Sequence, residues 1–262
     1  MDDVLFRITI TLPTPLIPWI IGVLLNSGLA VVAILAPKKL LTPAGLFHAW
    51  ILGILVWGTL GWPGYAVVMF YFLVGSGVTR IGMAEKEAAG IAEKRSGARG
   101  PENVWGSAAT GTLCALATLV TPPAYRALLL LGYVASFSTK LSDTTASEVG
   151  KAYGKRTFLI TTLQPVPRGT EGAVSLEGTL AGVLASATIA AIGWVVGLID
   201  PLGIGWCMLA AFVATNLESV IGATLQSRFG WLTNEIVNGI NTTIGAATAI
   251  VLAWVWKLLV HP

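Results

Sequence analysis

Charge is what this chain has least of. Of its 262 residues only 11% are Asp, Glu, Lys or Arg, while 55% are hydrophobic; a soluble domain carries about 25% charged residues. That shortage excludes an ordinary soluble enzyme, and with it the helical readers of nucleic acid. Histidine is confined to His48 and His261, too few and too far apart for a histidine metal site or a serine–histidine triad. Cys114 and Cys207 lie inside apolar segments and read as small core residues rather than a disulfide or metal pair. The N-terminus carries Asp2 and Asp3 before the first apolar run and lacks the basic n-region of a secretory signal, so no cleaved peptide is expected. No sequence repeat is visible.

What the chain does have is apolar runs approaching the ~20 residues that cross a bilayer. They are continuous rather than alternating, which favours helices over a β-barrel. The expected fold is therefore all-α and polytopic: a single transmembrane domain over 1–262 with about eight transmembrane helices. Residues 1–16, with Pro13 and Pro15, read as a short interfacial segment. The spans are expected near 17–35, 44–60, 65–78, 105–120, 124–141, 179–199, 204–225 and 242–259, with a Gly61-Trp62-Pro63-Gly64 turn between the second and third. All lysines and arginines except Arg7, Arg126 and Lys257 then fall in the loops after spans one, three, five and seven. The positive-inside rule makes those loops cytoplasmic, chiefly 80–104, 140–178 and 226–241, and puts both termini on the opposite side. Trp19, Trp62 and Trp256 near span ends fit an interfacial belt.

The stretch from Lys140 to Gly178 departs most from the oily background. Asp143, Glu148, Glu171 and Glu177 alternate there with Lys140, Lys151, Lys155, Arg156 and Arg168. Carboxylates interleaved with cations and glycines suggest a metal-and-phosphate site beside a membrane. Thr145-Ala-Ser-Glu148 matches a capping box, reading as a helix start whose free N–H groups suit a phosphate. Pro167-Arg168-Gly169-Thr170-Glu171-Gly172 reads as a turn whose backbone can approach a polyphosphate while Arg168 binds it, although it matches no P-loop. Glu218, inside the seventh span, shares a helix face with Gly222 and Gln226. Asn234, Asn238 and Asn241 form a second polar stripe, continued by Gly245, which either bonds other helices or binds phosphate and sugar hydroxyls. Residues 85–99 read as a mixed-charge helix with a solvated face, and Arg99-Gly-Pro-Glu-Asn103 as a phosphate contact at the membrane surface. Gly178 and Gly182 form a GxxxG pair, read as close helix packing.

Several of these segments, in order, resemble the phytyl-phosphate kinase and transmembrane-protein-19-like family: Ser142-Asp-Thr-Thr-Ala-Ser-Glu-Val-Gly150, Ile160-Thr-Thr-Leu163, Val166-Pro-Arg-Gly-Thr-Glu-Gly172, Glu218-Ser-Val-Ile-Gly-Ala-Thr-Leu-Gln226 and Val237-Asn238. The segment Glu85 to Arg95, with Arg99-Gly-Pro, looks like the plastid and cyanobacterial branch. The resemblance runs from about Arg80 to the C-terminus. It implies a membrane kinase that uses a nucleoside triphosphate, often CTP, to convert phytyl phosphate into the diphosphate that feeds tocopherol and phylloquinone synthesis. Phosphoryl transfer relies on positioning and charge neutralisation. The acceptor is itself an oxyanion near neutrality, so the poverty in histidine is no obstacle. On that reading Asp143, Glu148 and Glu218, with Glu171 as a further candidate, hold Mg²⁺, which favours oxygen ligands. Asp143, Glu148, Arg168 and Glu218 are the catalytic candidates. Lys151, Lys155, Arg156, Arg168, Gly169, Thr170, Glu171, Gln226, Asn234, Asn238 and Asn241 meet the nucleotide and its phosphates. Lys94, Arg99 and Asn103 meet the lipid phosphate, with the prenyl tail in a groove between spans. The bilayer is a bacterial inner or thylakoid membrane. Two alternatives stand beside this one: a prenol kinase or CTP-dependent lipid cytidylyltransferase built from the same parts, and a transporter of an anionic lipid or metabolite.

Overall fold

Proline places the helix starts. A proline in the first turn lacks only an N–H that would go unpaired anyway, and such prolines open the helices Ile17–Leu35 (α1), Pro43–Val78 (α2), Pro101–Ala117 (α4), Pro123–Tyr153 (α5) and Pro201–Ile221 (α7). Side-chain caps add to this: Thr42 accepts from the Gly45 N–H at 3.0 Å, and Asp200 from Gly203 at 2.7 Å. The remaining helices are Met83–Ala88 (α3), Leu176–Val195 (α6) and Asn234–Val260 (α8). The computed structural model describes residues 16–226 and 228–260, apart from the side chains of Lys94 and Ser96. The expected interfacial segment 1–16 lies almost wholly outside the described residues.

α2 is two helices joined across a kink. Gly61 takes φ 63° and ψ −154°, with Pro63 two residues on, and the chain reverses there. Arg99 proves the reversal. Its carbonyl accepts from the Thr42 N–H at 3.0 Å, while its guanidinium donates to the Tyr71 hydroxyl at 2.7 Å. In a straight helix Thr42 and Tyr71 would stand roughly 43 Å apart, beyond the reach of any single residue. α2 is thus two antiparallel arms, 43–60 and 62–78, as the Gly-Trp-Pro-Gly turn led one to expect. By length and apolarity α1, α2, α6, α7 with its continuation to Gln226, and α8 can cross a bilayer. α4 and α5 do not meet that measure.

α5 is the axis of the bundle. α2, α4, α6, α7 and α8 all pack on it, and every residue from Leu131 to Asp143 is buried. α6 seats closest, through small residues. A Cβ on Gly178 would come within 2.4 Å of the Ala146 carbonyl oxygen, and one on Gly193 within 2.7 Å of the Val134 side chain. The Ser138 hydroxyl donates to the Ser186 carbonyl at 2.9 Å across the same seam. The GxxxG pair therefore does what close helix packing requires.

Four local expectations are corrected. Residues 140–153 are not loop but the last turns of α5, so Thr145 to Glu148 sit in mid-helix rather than at a cap. The polarity that suggested a loop is turned toward neighbouring helices, not water. The mixed-charge helix expected over 85–99 ends at Ala88, because the chain turns at Gly90 (φ 68°), Arg95 (φ 55°) and Gly97 (φ 79°). The all-α expectation also omits a small antiparallel ribbon, Thr157–Leu159 (β1) with Ala173–Ser175 (β2), which closes the 160–172 turn. α8 begins at Asn234, eight residues before the expected span, and carries all three asparagines of the stripe.

Candidate active site

Alternating helix direction decides where the polar residues meet. The C-terminal ends of α5 and α7 and of the second arm of α2 lie at the same end of the bundle as the N-terminal ends of α4, α6 and α8. They enclose a cavity of about 780 Å³, roofed by residues 90–99 and by the 169–175 end of the ribbon loop. Ligand sites typically measure about 300–1,000 Å³.

The cavity wall carries Asp143, Glu148 and Lys151 from α5, Glu218 and Gln226 from α7 and its continuation, and Asn234 and Asn238 from α8. Arg99, Asn103, Gly169, Thr170 and Glu171 complete the expected residues that it unites. α7 loosens into a π turn over Gly222–Gln226, a feature frequent at functional sites, and Gln226 there bonds Asn234. Gly222 packs against the ribbon loop, with the Gly172 nitrogen 3.4 Å from where its Cβ would be.

Lys140 is the buried cation at the centre. Its ammonium donates to Asp143 at 2.5 Å and to the Asn238 amide oxygen at 2.8 Å, tying α5 to α8. Glu148, 2% exposed, is bonded by the buried Lys86 of α3 and lies 3.6 Å from the Lys151 ammonium. Two cations therefore occupy its two oxygens. Asp143 keeps one oxygen outside its lysine bond, and Glu218 makes no side-chain hydrogen bond or ion pair among the described residues. The charges acting on Glu218 are those of Asp143, Lys140, Glu171 and Lys151. At the rim, Arg99 donates to Tyr71 and lies over its ring, 5.1 Å from the centroid. Asn103 donates to Glu235 at 3.3 Å, joining α4 to α8.

Other expected residues lie elsewhere. Lys155 and Arg156 are exposed and do not line the cavity. Arg168 points away from it and donates to the Ala152 carbonyl at 2.9 Å, satisfying the end of α5. Asn241 is fully buried one turn below Asn238, and neither atom of its amide has a partner. The Lys94 side chain lies outside the described residues. Sequence reasoning gave no role to Lys140, Lys86, Arg95 or Tyr71. The first had a signal, since Lys140 and Asp143 stand three apart on one helix face once the segment is read as helix. Lys86 had none, because a lysine within Glu85-Lys-Glu87 looks solvated.

Among the described residues, no three of His, Cys, Asp and Glu converge as a metal-binding group. The arrangement instead suits an anionic ligand that brings its own oxygens: Lys140 and Lys151 from α5, Arg95 and Arg99 from the 90–99 segment, Asp143 and Glu218 beside them, and backbone at the ribbon loop.

These features define an integral membrane protein whose helical bundle holds a charged cavity at one end. Residues 26–246 match the family described as integral membrane protein DUF92, and the chain belongs to that family. It is 70% identical over 233 residues to a membrane protein of Synechocystis sp. described as uncharacterized, across 89% of this chain and 90% of that one. It is 48% identical over 216 residues to Protein VTE6, chloroplastic, of Arabidopsis thaliana, across 81% of this chain and 65% of the plant protein. An uncharacterized membrane protein of Methanocaldococcus jannaschii is 31% identical over 226 residues, across 86% of this chain and 91% of that one. No solved structure matches the chain.

Proposed function

We propose that the protein is a membrane kinase that transfers the γ-phosphate of a nucleoside triphosphate, CTP being the expected donor, to phytyl or another prenyl monophosphate. The observation that carries this reading is the joining, in one cavity at the end of an apolar bundle, of Asp143 and Glu218 with Lys140, Lys151, Arg95 and Arg99. The likeness to a chloroplastic plant protein agrees with a role in prenyl-lipid chemistry. An oxygen of the acceptor phosphate attacks the γ-phosphorus, the bond to the β–γ bridging oxygen breaks, and prenyl diphosphate and nucleoside diphosphate leave. Both phosphates arrive as anions, so the residues need only hold them in line and offset their repulsion. Lys140 and Lys151 are assigned to the donor phosphates. Arg99 and Asn103, at the rim, are assigned to the lipid phosphate. Glycines 169 and 172 let the loop backbone close on the nucleotide.

The cavity also fits Mg²⁺, which takes one or two carboxylates and fills its shell with phosphate oxygens and water. Asp143 and Glu218 would hold it, with Glu171 at the lip. Glu148, already saturated by lysines, is better assigned to positioning Lys151. The ion would supply charge neutralisation at the triphosphate. The loops that roof the cavity are assigned to the cytoplasmic side of an eight-span protein, in a bacterial inner or thylakoid membrane, with both termini opposite. Purified protein incubated with phytyl phosphate, Mg²⁺ and CTP is expected to yield phytyl diphosphate by mass spectrometry. A cytidylylated lipid, far heavier, would replace this reading with nucleotidyl transfer. Nucleotide-independent counterflow in proteoliposomes without any new lipid would replace it with transport.

A further inference from the structure

Several of the helix seams around the cavity are tied by side-chain bonds. α4 and α8 are joined by the Asn103–Glu235 bond and, below it, by Thr110 with Thr242 at 3.0 Å and Thr243 at 2.9 Å. α7 and α8 are joined by Gln226 and Asn234. α5 and α8 are joined by Lys140 and Asn238, and α5 and α6 by backbone-close glycines and the Ser138–Ser186 bond. Between α6 and α7, in contrast, no side-chain hydrogen bond or ion pair is present among the described residues. The polar wall runs out at this seam. Thr179 of α6 and Thr215, Asn216 and Ser219 of α7 line it, and one turn deeper stand Val183 and Phe212, which still line the cavity. Phe212 is at the same time 47% exposed, as a side chain at a cavity's mouth is. Leu180 and Leu184 on one side and Leu209 on the other, all exposed, make the surroundings of that mouth apolar.

We infer that the α6–α7 seam is the side entrance through which the prenyl phosphate reaches the cavity from the bilayer, and that the isoprenoid chain rests between Val183 and Phe212 while its phosphate lies among the polar residues above. The inference rests on the kinase reading and names the path of its lipid substrate. A mostly hydrocarbon acceptor cannot cross the charged rim without leaving the apolar phase, which costs free energy for every CH₂ exposed. A lateral opening removes that cost. The nucleotide, wholly polar, enters past the 90–99 and 169–172 loops.

A prenyl phosphate carrying a diazirine near the middle of its chain tests this on the unmodified protein in nanodiscs. Irradiation is expected to label peptides of α6 and α7 around Val183 and Phe212, and excess phytyl phosphate is expected to abolish the label. Competable label on α2, α4 or α8 instead would overturn the route while leaving the kinase reading in place. No competable label anywhere, in protein that also makes no prenyl diphosphate, would overturn both. Val183→Trp, which narrows the mouth, is expected to raise KM for phytyl phosphate by about ten-fold, with kcat and the KM for CTP little changed. An equal loss with a short-chain acceptor such as isopentenyl phosphate would speak against a tail site.

Discussion

Glu148 and Glu218 are both carboxylates of the cavity wall, yet their surroundings give them opposite work. Glu148 is spoken for by Lys86 and Lys151, and removal of Lys86 leaves its buried carboxylate short of a partner. Lys86→Met is therefore expected to destabilise the protein by about 3–5 kcal/mol, read as a lowered unfolding midpoint in detergent. The double variant Lys86→Met with Glu148→Met should regain most of the loss. Glu218 has no such partner, so Glu218→Gln should leave the midpoint in place. Asp143→Asn, which leaves the buried Lys140 without its carboxylate, is expected to lower it. Each is expected to lower turnover by about 100-fold or more, the scale seen when one preorganised charge is lost from an active site. Parent-like turnover in both would remove the metal assignment.

At the level of elements, α5 decides the site. A 31-residue helix is roughly 46 Å long, so one continuous element carries both the buried apolar stretch that begins at Leu131 and the residues from Lys140 to Lys151. That second half was the least legible part of the sequence. Ser, Thr, Asp and Lys in a row signal a loop wherever water is the neighbour, and nothing local says that these face other helices. Asn234 to Asn241 was legible as a helix stripe because its spacing repeats on one face. The fold-back at Gly61 was legible because only glycine accepts its φ, with proline close behind. Gly61→Ala should cost about 1–2 kcal/mol through its left-handed φ. Gly182→Leu should part α5 from α6, since a Cβ there already comes within 3.0 Å of the Ser142 carbonyl oxygen. Loss of both folded yield and nucleotide binding is expected, measured by size-exclusion profile and equilibrium dialysis.

For the molecule as a whole, alternating helix direction gathers residues from six helices at one end of the bundle. The basic loops mark that same end, so charge alternation along the sequence pointed to the end that holds the cavity, although not to which side chains would meet. With Cys114 and Cys207 replaced, single cysteines at Lys38, Gln164 and Arg228 are expected to react with an impermeant maleimide from the same side. One at Val120 should react from the other, and any mixture within the first set would break the topology. The central claim is phosphoryl transfer within this cavity. Its most direct test is CTP labelled on the γ-phosphate, mixed with phytyl phosphate, Mg²⁺ and purified protein, with Asp143→Asn beside it. The label is expected in phytyl diphosphate for the parent and almost none for the variant. Folded parent protein that leaves all label in CTP, or passes it to the lipid equally well without Asp143, would contradict the account.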